Sequence, residues 1–508
     1  MDSNRLPLII WLIVAALFGS LSAQDDEDVY RSLERRYLPA SDHQSIHRYH
    51  AYTIIEESEA INGDVLVIDH DLVIYGLVDG DILVINGDVK LFGGSEVRGE
   101  VTAVGGTIFL YNDSRVRGEM IQKDWRGIFR KPSALSSQRH YGYQGGTNIN
   151  IHDSDTDLAI RYNRVDGLFL GLAAPKQYYR RVGNFSGYGF VGYAFESEAV
   201  RYQVGLDRWI FSPVRFRTEI GAEFHDITDT QDLWKISTNE NSLGAFFLRE
   251  DFQDYYRRRG FSFYLGQNLS KYLRLGLEYR NDDYMSLNKN TNWSLFGGDK
   301  RFRPNPSLGD DAANMRSIYG ELKLDTRKEW EPYDDGVMLH LSGETSAPGL
   351  GGAFDFRRYT AEMRWFQRIG RSEQLRFRIF AGTADGYLPL QRIYSLGGIS
   401  TLRALPYKSL VGDRAFLMNL EYQVNPDFID FLFDDINFIL FADAGDAWQS
   451  GGEDLADSFK YLSLNRLKSD LGFAVADEDN TFRINFAWRT DVAQNNDVVV
   501  TFRIQQPF

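Results

Sequence analysis

Arg403 lies in the middle of a glycine-rich stretch running from Gln391 to Arg414, Q-R-I-Y-S-L-G-G-I-S-T-L-R-A-L-P-Y-K-S-L-V-G-D-R. Two alternating runs follow it, A-F-L-M-N-L-E-Y-Q-V from Ala415 and I-N-F-I-L-F-A-D-A-G from Ile436, and the second carries Asp443 inside an otherwise apolar segment. A guanidinium stays charged at any biological pH, so one withdrawn from water needs a carboxylate. The chemistry on offer is therefore an ion pair that fixes a loop, and Arg403, Asp443, Gly397, Gly398 and Gly445 form the expected loop lock.

No catalytic constellation competes with that reading. The chain has no G-x-S-x-G elbow, no phosphate loop and no H-E-x-x-H, and with Cys 0 it has neither a thiol nucleophile nor a disulfide framework. His43, His47 and His50 fall at helical i, i+4, i+7 spacing but lack a carboxylate or Cys to complete a metal site, so a solvated helix face is expected. The D-S-D-T-D run at Asp153 to Asp157 begins like a Ca²⁺ loop, yet Leu158 stands where the sharp-turn glycine is required. No enzyme activity, cofactor or metal is expected.

The elements that must position the lock are strands. With 508 residues, 25% charged, 43% hydrophobic and a mean hydropathy of -0.36, the chain offers no apolar run for a helical span beyond its first residues. Such averages do not report a transmembrane barrel, because its strands alternate lipid-facing apolar residues with polar ones facing the lumen. Leu273, Leu275, Leu277 and Tyr279 oppose Arg274, Gly276, Glu278 and Arg280; Leu375, Phe377, Ile379 and Ala381 oppose Arg376, Arg378 and Phe380; Phe482, Ile484, Phe486 and Trp488 oppose Arg483, Asn485, Ala487 and Arg489. A one-residue slip would turn Arg to lipid, at about 2–4 kcal/mol near the midplane, so the apolar set must face out. A soluble sandwich would show the same alternation strand by strand. An aromatic content of 14%, a candidate leader and the terminal strand favour the barrel, and a net charge of -15 argues against nucleic acid as a partner.

Met1 to Ala23 reads as a signal peptide, with Arg5 ahead of an apolar stretch and Ser22-Ala23 before Gln24; a membrane-anchor helix is the alternative. N-terminal sequencing of the mature protein is expected to begin at or near Gln24, and retention of residues 1–23 would rule the leader out. Residues 24–56 read as a linker or short helix. Residues 57–122 read as a β-solenoid: Val78-x-Gly80-Asp81, Val97-x-Gly99-Glu100 and Val116-x-Gly118-Glu119 recur every 19 residues, with an irregular copy at Ile61-x-Gly63-Asp64. Ordinary hairpins with N-G and D-G turns would not require a constant period.

A connector, 123–155, precedes a barrel over 156–508. About sixteen strands are expected, anchored near Ile160, Phe190, Tyr202, Phe216, Phe246, Phe263, Leu275, Leu322, Leu339, Met363, Phe377, Leu420, Leu440, Phe473, Phe486 and Phe502. The barrel pattern begins over Ala159 to Gly171, and the Arg403 loop falls between the eleventh and twelfth strands. Short connections near Ser197, Ser270, Gly370 and Glu478 are assigned to one side, and the long one from Asp282 to Asn314 to the other.

The loop resembles the (V/I)-R-G-(F/Y) loop of the BamA/TamA-type bacterial surface antigen family, the outer-membrane protein assembly factors and their relatives. Leu402, Arg403, Ala404 and Leu405 match it, with Ala404 and Leu405 replacing Gly and an aromatic, while Phe441, Asp443 and Gly445 keep the F-x-D-x-G strand motif. Leu396 to Gly398 and Asn419 to Tyr422 also resemble the family. The resemblance implies an all-β protein, a sixteen-stranded outer-membrane barrel of the Gram-negative type whose loop folds into the lumen, and an Arg403–Asp443 contact. It also marks Phe502, Ile504 and Phe508 as a β-signal read by the assembly machinery. The 61–120 repeat resembles a bactofilin-like β-helix and stands where family members carry POTRA domains.

The expected function is assembly, insertion or translocation of proteins, or of lipids, at the outer membrane. The expected partners are outer-membrane lipid, a nascent outer-membrane or secreted protein, and a periplasmic protein held by the solenoid. The alternative is a structural anchor or passive pore that displays the solenoid in the periplasm.

Overall fold

The computed structural model describes residues 34, 37–38, 45–49, 53–123, 147–150, 157–174, 185–210, 218–327, 335–424, 436–450 and 457–504, less positions 69, 86, 112, 271, 371–372, 461, 463–465, 478–479, 481 and 493–496. The chain forms two units, 1–131 and 132–508. The leader lies outside the described residues, as do His43, His50, Phe216 and Phe508.

The first unit is a three-sided solenoid of parallel strands. One face stacks Ile46–Tyr49, Asp64–Ile68, Ile82–Ile85, Val101–Val104 and Met120–Lys123; a second stacks Thr53–Ile55, Leu72–Ile74, Val89–Leu91 and Ile108–Leu110; the third stacks Ala60–Asn62, Leu77–Asp79, Glu96–Val97 and Arg115–Val116. Short β-branched strands suit this fold because each coil buries its apolar face against the rest. Val65, Val78, Val89, Val97 and Val101 are fully buried in one core. At the corners the coils approach so closely that a Cβ on Gly80 would strike the Gly63 carbonyl, and one on Gly99 the Gly80 carbonyl. This is why the repeat keeps glycine there.

The acidic residue beside each glycine has a separate task. Asp64 accepts the Asp81 N–H at 2.8 Å and Asp81 the Glu100 N–H at 2.7 Å, which satisfies donors that the turn takes out of the ladder. Burial raises the Asp64 carboxyl above the usual carboxylate range, and the Asp81 N–H partly offsets this.

The irregular copy now has a cause. Leu72 pairs with Val89, 17 residues on, whereas Val89 pairs with Ile108, 19 on. The two missing residues are at the Tyr75-Gly76 corner, and the ring of Tyr75 still stacks on Phe92, 5.0 Å away, as Phe92 does on Tyr111 at 4.6 Å.

The second unit is an antiparallel sheet of seventeen strands. A four-residue edge strand, Thr147–Asn150, precedes the sixteen that make the wall. The first eight are Asp157–Asn163, Gly167–Ala174, Phe185–Ala194, Ala199–Ile210, Thr218–Thr230, Tyr255–Asn268, Leu273–Ser286 and Asn314–Asp325. The ninth to sixteenth are Gly336–Ser346, Phe356–Arg368, Glu373–Gly386, Arg414–Val424, Ile436–Trp448, Lys468–Asp477, Phe482–Arg489 and Val499–Ile504. Leu277, Leu440, Phe473, Ile484, Val500 and Phe502 are exposed on one face, while Arg378, Glu421, Arg483 and Arg503 are buried on the other. Side chains of one short helix, α1 (Thr238–Leu243), bond both the first and the sixteenth strand, so the sheet curls round on itself and its charged face lines a lumen. Among the described residues no helix is long and apolar enough to cross a membrane.

Several expectations are corrected. The strands Ile46–Tyr49 and Thr53–Ile55 fall within the span expected to be linker or helix, and they form the first coil of the solenoid, so His47 sits on a strand and not on a helix face. Thr147–Asn150 falls in the expected connector and joins the barrel sheet. The expected first strand is two, because Asn163 to Gly167 is a tight turn: Asn163 Oδ1 accepts the N–H groups of Val165 and Asp166 at 2.8 and 2.7 Å, and Gly167 has φ +61°. Phe246 is helical, and no strand exists there. One strand missed and one invented leave the total of sixteen unchanged. The Ser197 turn joins the third strand to the fourth, and connections alternate sides in an antiparallel barrel. That turn therefore lies on the side of the long 287–313 connection and opposite Ser270 and Gly370.

Candidate functional site: the lumen loop

The twelfth, thirteenth and fourteenth strands place Glu421, Asn419, Asp443 and Asp470 on the lumen face, with Asn419 opposite Asp443 and Asp443 opposite Asp470. The loop between the eleventh and twelfth strands enters that acidic field. It is shaped by Gly397 and Gly398 at φ +110° and +78°, conformations L side chains rarely adopt; Gly397 N–H donates to Thr401 Oγ1 at 2.9 Å and Gly398 N–H to the Leu402 carbonyl at 2.8 Å. The tight turn aims Arg403 at the wall.

Arg403 meets two carboxylates. Its Nη2 donates to Glu421 Oε1 at 2.5 Å, its Nε lies 3.4 Å from Asp443 Oδ2, and its guanidinium stacks 4.0 Å from the centre of the Phe441 ring. The Asp443 contact is a charge contact with no hydrogen bond, and the other oxygen, Asp443 Oδ1, accepts from Asn419 Nδ2 at 2.7 Å. Asn419 also donates to the Thr401 carbonyl at 2.8 Å, which ties strand to loop a second time. Glu421 holds a further guanidinium: Arg483 donates to Oε1 at 2.8 Å and Oε2 at 3.1 Å. Gly445 lets the thirteenth strand pass close to the Phe416 carbonyl of the twelfth.

The chain matches the model of the Omp85 superfamily domain over residues 212–506, more than half its length and the whole of this site. It belongs to the Omp85 superfamily. Solved structures similar to it include BamA from Haemophilus ducreyi lacking POTRA domains 1-3, at 12% identity and TM-score 0.44, covering 68% of this chain and 69% of that one. CdiB from Acinetobacter baumannii follows at 12% identity and TM-score 0.37, covering 69% of this chain and 59% of CdiB. No curated protein sequence matches the chain.

Within this Omp85 barrel the two residues that depart from the loop motif are both buried and packed. Ala404 is buried among Ile439, Phe441, Ala474 and Ala487, and its N–H donates to Asp470 Oδ2 at 3.1 Å; Leu405 is buried with Trp234, Phe380, Leu402 and Leu417. The loop is anchored at its rear as well: Arg378 Nη1 donates to the Ser400 carbonyl at 3.0 Å, and Lys408 Nζ reaches Asp232 at 2.6 Å and Asp254 at 2.5 Å. Of the expected β-signal residues, Phe502 faces outward and exposed, Ile504 is half-buried, and Phe508 lies outside the described residues.

Sequence reasoning paired Arg403 with Asp443 and missed Glu421, Asn419, Asp470 and Arg483. The signal was present for Glu421 and Asn419, which sit two residues apart in N-L-E-Y and so share the lumen face of one strand. Among the described residues no group of three or more His, Asp or Glu side chains is arranged to hold a metal ion.

Proposed function

We propose that this Omp85 barrel acts without catalysis in the insertion or translocation of proteins at the outer membrane, with its solenoid in the periplasm as a docking module in the place of POTRA domains. The observation that carries the reading is an Omp85 domain whose lumen loop is still held at Arg403. A second feature supports it: among the described residues the first and sixteenth strands are not paired with each other, and Thr147–Asn150 covers only part of the first strand, so the wall meets at a seam. The buried loop counts against a passive pore, since Gln391, Arg392, Thr401 and Arg403 fill lumen that a conduit would leave open.

The protein is expected to fractionate with the outer membrane, and depletion is expected to lower a defined subset of outer-membrane or secreted proteins while others hold. An unchanged inventory with a displaced periplasmic partner would instead establish the anchor reading. Recovery of the protein in the soluble fraction would overturn both.

A further inference from the structure

The connection between the fifth and sixth strands carries eleven consecutive helical residues, α1 and the π turn Gly244–Leu248 that continues it. Ser237 caps the start by accepting the Glu240 N–H at 3.1 Å. Glu240 then turns to the last strand of the wall, where it takes Arg503 Nε at 2.7 Å, Arg503 Nη2 at 2.9 Å and the backbone N–H of Ile504 at 2.8 Å. Two residues on, Ser242 Oγ accepts the backbone N–H of Tyr162, in the first strand, at 3.2 Å. Thr147–Asn150 covers the first strand only over Asp157–Ile160, so the Tyr162 N–H lies beyond that partner's reach. The helix thus supplies acceptors to two strand edges that have no ladder to each other among the described residues.

Its other face is apolar and continues the outside of the wall. Tyr162 pairs with Leu168 on the lipid-facing side of the first hairpin, and both are covered by Ala245, Phe246 and Phe302. Two backbone bonds, Leu295 N–H to the Phe246 carbonyl and Phe296 N–H to the Phe247 carbonyl, each 2.8 Å, attach a second segment. Together the two segments expose Leu248 at 51%, Trp293 at 52% and Phe296 at 70%, beside Leu243, Phe247 and Leu295. Six large apolar side chains in one exposed patch are unusual for a surface in water. In lipid, backbone that leaves the β-ladder must satisfy its own hydrogen bonds, and a helix does so.

We propose that Thr238–Leu248 is a stopper in the barrel seam: it clasps the first and last strands through Ser242 and Glu240, and its outer face, with Trp293–Phe296, contacts lipid acyl chains. The occupant is lipid because the patch covers the outward face of the first hairpin, which continues along the second strand to Leu172, 51% exposed.

The chain has Cys 0, so single cysteines can be placed at Leu248 and Phe296 of the full-length protein in vesicles and labelled with a fluorophore. Quenching by brominated acyl chains is expected to come within about twofold of that at Leu440, a wall position 62% exposed, with iodide ineffective. Iodide quenching equal to that at the exposed Lys460 would overturn the lipid contact, and so would shielding from both quenchers, which would mean a protein partner or second copy.

For the clasp, Glu240→Ala is expected to speed hydrogen exchange about tenfold in peptides covering the first and sixteenth strands and to leave the tenth and eleventh unchanged. Unchanged exchange at the two edges would sink it. Should that variant fail to assemble, Ser242→Ala read at the peptide containing Tyr162 decides the matter in the same way.

Discussion

Glu421→Ala is expected to weaken the barrel more than Asp443→Ala does, by about 3–5 kcal/mol, because it removes the carboxylate that two buried guanidiniums share. Arg403 and Arg483 both donate to this one carboxylate, and both are buried. Asp443→Ala is expected to cost less: Arg403 keeps its bond to Glu421, and the wall loses one charge contact and the Asn419 bond. Folded barrels migrate faster than unfolded ones on gels until heated, so the temperature at which the fast band disappears ranks the variants. Equal midpoints for Glu421→Ala and Asp443→Ala would show that Glu421 is no hub.

Arg403→Lys should not recover what Arg403→Ala loses, since an ammonium has no planar fork to hold the Glu421 bond at Nη2, the Asp443 contact at Nε and the stacking on Phe441 together. The Arg403→Ala/Asp443→Ala double variant should be no worse than the poorer single one, and additive losses would mean that the residues act independently.

In the solenoid, Val97→Asp should unfold the module at a cost of several kcal/mol, because it buries an unpaired carboxylate in a continuous core. Val97 is fully buried and stacked in register on Val78, with Val116 stacked on it in turn. Its neighbours in that core are Ile, Leu, Val and Ala side chains, with Tyr49 packed at the margin. Limited proteolysis is the measure: new cleavage between Ile46 and Lys123, with the barrel still heat-resistant on gels. An unchanged digest would refute the stacking.

The strands of the wall were legible because a membrane imposes a two-residue period that nothing else in the chain contradicts. Where it failed, the reason is local. Leu168 to Leu172 runs on from Ala159 to Asn163 without proline, and the turn between them is made by the Asn163 side chain and by Asp166-Gly167, a hairpin signal that the apolar residues on either side masked. The A-F-F-L run at Ala245 to Leu248 is short and continuously apolar, and periodicity does not separate a strand from a helix in such a run. The Arg403 site was half legible. Its two motifs were visible, but the choice of Glu421 as hydrogen-bond partner depends on how far the loop descends, a tertiary distance with no local signature. The stopper was invisible for the same reason: Glu240 and Arg503 are 263 residues apart.

The short corner at Tyr75-Gly76 shows that one coil can lose two residues while its three faces stay in register with their neighbours. A module built this way grows or shrinks by whole coils, each adding about 4.8 Å, the spacing of neighbouring strands. Its reach is therefore quantised. Excising the 19 residues Ile82–Glu100, one full period, should give a shorter module of the same cross-section, and a family of such lengths would make the solenoid a ruler.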